Sequence, residues 1–68
     1  MATPREVFDQ LARHFDDLAD AAEGTIASLE AITQEGGADL RAASIKYAAG
    51  RRDALRGAAA TVREAAGL

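Results

Sequence analysis

Residues 8–32 read FDQLARHFDDLADAAEGTIASLEAI, and this stretch decides the fold. Phe8, Leu11, Phe15, Leu18, Ala22, Thr25, Leu29 and Ile32 follow one another at alternating steps of three and four. Such steps keep side chains on one side of an α-helix, which turns once in about 3.6 residues. The spacing predicts one long helix with an unbroken apolar seam. Ala12, Ala19 and Ala21 beside it are small, so a second helix can come close. Val7 and Ile26 widen the stripe beyond what a single neighbouring helix covers. Gly24 falls on the outer side and costs about 1 kcal/mol of helix propensity without ending the helix.

Working outward, Thr3-Pro4-Arg5-Glu6 reads as a helix start. Thr3 caps, Pro4 takes the first helical position where its missing N–H costs nothing, and Glu6 fits a capping box. Downstream, Gln34-Glu35-Gly36-Gly37-Ala38-Asp39 is a break, with paired glycines for a tight left-handed turn and Asp39 as the cap of a second helix. The expected elements are a helix over about 4–34, a turn over about 35–39 and a helix over about 40–66. A loop this short makes the two helices antiparallel neighbours. The second helix carries Ile45, Ala48, Leu55, Ala59 and Val62 at seam spacing, with Leu40 and Tyr47 nearby. The frame through Ile45 places Arg52 in the seam, and a frame through Ala48, Leu55, Ala58 and Val62 places Arg51 there. Gly50 and Gly57 weaken this helix, and Gly67 ends it.

Composition agrees with two helices. Alanine, the best helix former, occupies 18 of the 68 positions, and Pro4 is the single proline. A chain without cysteine has neither a disulfide framework nor a thiolate metal site, and one histidine does not make a zinc site. No basic region followed by an apolar run marks a secretory leader, and no apolar stretch is long enough to span a bilayer, so a soluble, cytoplasmic protein is expected. Chains this short bury a limited share of their surface, and oligomerisation is the staple left open. The fold expected is therefore all-α, a hairpin that dimerises into a four-helix bundle as a coiled-coil-like homodimer.

Charge divides along the chain. Residues 1–35 hold eight acidic and two basic side chains, and residues 36–68 hold six basic and three acidic ones. An acidic helix followed by a basic one favours their pairing. With the turn at Gly36-Gly37, residue i faces roughly residue 73 − i, which puts Arg52 near Ala21 and within reach of Asp20 or Glu23.

Four groups of residues bear on function. Arg51, Arg52 and Arg56 read either as an anion or partner contact or as one arginine in the seam paired to a carboxylate, and the second reading is the plainer. Asp16, Asp17, Asp20 and Glu23 fall on outer positions and read as a solvated acidic strip rather than an acid–base or metal site. His14 borders the seam beside Phe15, with Asp17 at i+3 but Leu18 at i+4, so a metal-ligand set is incomplete and a structural, partly exposed histidine is expected. Tyr47 lies outside the seam and is a contact candidate, since aromatic residues are enriched in interfaces. A net charge of −3 argues against nucleic acid. The function expected is a non-enzymatic interaction module, without cofactor or metal, that self-associates through its seams and docks a larger protein. The alternative is a nucleic-acid or anion-binding regulator using the basic second helix.

Overall fold

A computed structural model describes every residue of the chain except Met1 and Gln34. Two helices, α1 (Pro4–Glu30) and α2 (Ala38–Ala66), pack against each other. The Cα trace measures 53 × 18 × 12 Å, a slab one helix thick.

The start of α1 follows the sequence closely. The Thr3 hydroxyl accepts the Glu6 N–H at 3.2 Å, the Thr3 carbonyl accepts the Val7 N–H at 3.1 Å, and Pro4 opens the first turn. The end comes earlier than expected, at Glu30 rather than about 34. The Ile32 N–H turns back to the Leu29 carbonyl at 3.2 Å, a tightened last turn. Ile32 and Thr33 are β-branched and favour the helix less than the alanines before them. The expected end of the helix at Gln34 lies outside the described residues.

The start of α2 corrects another reading. Gly37, not Asp39, is the capping residue: it sits at φ +69° with no side-chain cap, and its carbonyl accepts the Arg41 N–H at 2.9 Å. Asp39 lies inside the first turn, where its carboxylate meets the positive end of the helix dipole. At the far end Gly67 takes φ +71°, and two bonds, Gly67 N–H to Glu64 and Leu68 N–H to Arg63, close the last turn as a Schellman motif.

The contact between the helices is made mainly of alanine. Ala12, Ala19 and Ala59 are wholly buried, and Ala22, Ile26 and Ala48 nearly so. On α1 the packed line runs Ala12, Phe15, Ala19, Ala22, Ile26, Leu29; on α2 it runs Ile45, Ala48, Arg52, Leu55, Ala59, Val62. Both keep the three–four rhythm. The α2 line is the frame through Ile45, so Arg52 lies in the seam and Arg51 beside it. The α1 line is rotated from the expected seam by one residue at alternate positions: Ala12 replaces Leu11, Ala19 replaces Leu18, and Ile26 replaces Thr25. Small side chains let the helix axes approach, and dispersion contacts then favour alanine facing alanine over leucine facing leucine. The larger side chains are turned outward, so Phe8, Leu11 and Ile32 are exposed and Leu18 is half-buried.

Three glycines sit where a side chain would do no harm. A Cβ at Gly24, Gly50 or Gly57 would meet nothing within 4 Å. Each Gly→Ala replacement is expected to stabilise the chain by about 0.5–1 kcal/mol, read as a higher denaturation midpoint with an unchanged slope. Gly37→Ala should do the opposite, because φ +69° disfavours a Cβ.

Candidate functional site

Lettering the packed positions by heptad exposes a division of labour. With Ala12, Ala19 and Ile26 as a, the α1 residues at e are Asp16, Glu23 and Glu30, and those at g are Leu11, Leu18 and Thr25, a row that Ile32 extends just past the helix end. With Ile45, Arg52 and Ala59 as a, the α2 residues at e are Ala49, Arg56 and Arg63, and those at g are Ser44, Arg51, Ala58 and Ala65. In an antiparallel pair e meets e along one edge of the contact and g meets g along the other. One face of the hairpin is therefore ionic and the other apolar.

The ionic face holds the interhelical ion pairs. Arg63 donates to Asp16 at 2.6 Å, Arg56 reaches Glu23 at 2.9 Å, and Arg52 reaches the other Glu23 oxygen at 3.7 Å. Arg52 also donates to Asp53 at 3.0 Å, and Arg13 pairs with Asp9 at 2.9 Å along α1. The hydrogen bond to Asp16 raises the Arg63 pKa above its ordinary value. The expectation for Arg52 holds in outline, with Glu23 rather than Asp20 as its partner. The acidic strip needs correction: Asp16 and Glu23 flank the helix contact and are engaged, while Asp17 and Asp20 face water. These pairs are partly exposed, so Glu23→Gln is expected to cost under about 1 kcal/mol, with the difference fading in high salt. Thermal melts at two ionic strengths would check this.

The apolar face is open. A groove of about 540 Å³ runs between the helices, walled by Leu18, Thr25 and Leu29 on α1 and by Ala43, Tyr47 and Arg51 on α2. Its two aliphatic hydroxyls are turned onto their own helices: Thr25 donates to the Ala21 carbonyl at 3.2 Å and Ser44 to the Leu40 carbonyl at 2.9 Å. They present carbon to the groove. Beyond it the apolar surface continues through Val7, Leu11, Ile32 and Leu40, and Leu40 and Tyr47 are 74% and 73% exposed. Arg51 is the one charged side chain lining this groove, and it makes no ion pair among the described residues.

The remaining expected site residues are placed plainly. Phe15, Leu29, Ile45, Leu55 and Val62 are half-buried, and Ala22 and Ala48 are buried in the hairpin contact. His14 is exposed, its ring 6.4 Å from that of Phe15. Among the described residues no three His, Cys, Asp or Glu side chains gather as metal ligands would. Among them, too, no helix is long and apolar enough to cross a membrane. The arrangement defines an all-α hairpin with one charged and one apolar face. No family model, curated protein or solved structure matches the chain.

Proposed function

We propose that this chain is a non-enzymatic interaction module that closes its apolar face against another helical hairpin, completing a four-helix bundle. The observation that carries the reading is the segregation of the two faces. Exposed Leu11 and Ile32 and half-buried Leu18 form a row beside a contact whose buried centre is mostly alanine. Contiguous exposed apolar surface on a small chain marks an interaction site. Among the described residues no large side chain is completely buried, so a partner would supply apolar burial that the chain lacks alone.

In its simplest form the second hairpin is another copy, and the product is a homodimer with its ionic faces outward. Those outward faces then dock a larger protein. Arg52, Arg56 and Arg63 already face carboxylates of their own chain, which favours this reading over an anion-binding second helix. Sedimentation equilibrium from low micromolar to near-millimolar concentration tests it. Association is expected, lost in Leu18→Asp and kept in Asp20→Lys. A stable folded monomer across the whole range would overturn the homodimer form of the reading.

A further inference from the structure

Arg51 narrows what the apolar face accepts. It stands at a g position, one residue short of the midpoint of α2, and lines a groove whose other walls are neutral. The g positions along this edge, Leu11, Leu18 and Thr25 on α1, Ile32 just past its end, and Ser44, Ala58 and Ala65 on α2, carry no carboxylate. A charge taken out of water needs an opposite charge or hydrogen-bond acceptors, and truncating one partner of such a pair is costly for the same reason.

Resting on the interaction reading above, we infer that the natural occupant of this face is a helical surface of a different protein, apolar along its length and bearing a carboxylate opposite Arg51. A second copy is the weaker of the two occupants. Two copies stacked face to face with their turns at opposite ends bring the midpoints of their α2 helices together, and with them two guanidinium groups. Two copies stacked with their turns at the same end set Arg51 against the neutral row of Leu18 and Thr25. Neither arrangement supplies an acid. A foreign helix with one Asp or Glu among Leu, Ile and Ala supplies it, and the charge pair then selects that partner and sets its register. Arg51 thus acts against self-pairing while favouring the correct partner.

The test uses variants of the chain itself, because Arg51 is exposed and makes no ion pair among the described residues, so its replacement leaves the hairpin contact intact. Arg51→Met removes the charge and keeps the side chain's length. Arg51→Glu turns a copy into a probe that carries the carboxylate, mixed in equal amount with the wild-type chain. Sedimentation equilibrium reads both, with circular dichroism confirming unchanged helix content. Arg51→Met is expected to self-associate at least about tenfold more tightly than the wild type, and the mixture to associate more tightly than either component alone, with that advantage shrinking in high salt. An Arg51→Met variant no tighter than wild type, or a mixture no tighter than the wild type alone, would overturn the inference. Self-association of the wild type that Leu18→Asp abolishes would still leave the interaction reading standing, so the two fail separately.

Discussion

Ile26→Ala is expected to destabilise the chain by about 2–5 kcal/mol, the usual cost of emptying a buried branched aliphatic site. A chain of this length holds roughly 3–10 kcal/mol in total, so the loss is a large share of it and the denaturation midpoint should fall steeply. Ile26 is the one side chain larger than alanine in the buried set, and it sits between the ends of Ala19 and Leu29 on the packed line. Leu11→Ala, which removes as many carbons from an exposed site, should cost far less in a dilute monomer. Urea titrations followed by circular dichroism would rank the two. Equal losses would mean that the second helix lies over Leu11 and that the rotation of α1 is wrong.

Ala19→Leu carries the second large effect, and its sign is the instructive part. The replacement adds apolar surface to a helix face and keeps helix propensity, so hydrophobicity alone would have it stabilise. Ala19 is fully buried against α2, where three added carbons force the helices apart, and overpacking of this kind costs about 1–3 kcal/mol. Separation of the axes would also loosen the reach of Arg56 to Glu23 and of Arg63 to Asp16. Ala27→Leu, on an exposed site of the same helix, should be near neutral and serves as the control. A thermal midpoint that rises in Ala19→Leu would show room between the helices that the structure does not have.

These two positions also show what the sequence discloses. The helix start at Thr3-Pro4, the glycine turn, and the antiparallel pairing are local events with residue types that force them, and each can be read directly. The opposition of an acidic α1 to a basic α2 is likewise visible, and it foretells the pairing of Arg52 with Glu23. The rotation of α1 is harder. A search for large apolar residues finds Leu11, Leu18 and Thr25 in one row, but the row one residue further on, Ala12, Ala19 and Ile26, is the one that packs. Both rows have heptad spacing, so periodicity does not distinguish them, and the choice turns on how closely two backbones approach. The small size of Ala12 and Ala19 was the available signal, and opposing Ala48 and Ala59 on α2 complete it. Asp39 was misread for a related reason: a good capping side chain lost to a glycine that the turn already required at Gly37. Arg51 is a contact candidate in the sequence, but whether it or Arg52 lies in the seam stays open there, because that depends on how the two helices are rotated against each other.

The central claim is that one face of the hairpin is finished and the other is waiting for a partner. Solvent paramagnetic relaxation of methyl groups tests this most directly, measured on the dilute chain and again with an equal amount of the Arg51→Glu copy. Strong broadening is expected for the Val7, Leu11 and Ile32 methyls in the dilute chain, with Leu18 intermediate and Ile26 shielded, and protection of Leu11, Leu18 and Ile32 on mixing. Broadening of Ile26 to the level of Leu11, or methyls of Leu11 and Leu18 that stay exposed in the associated species, would contradict it.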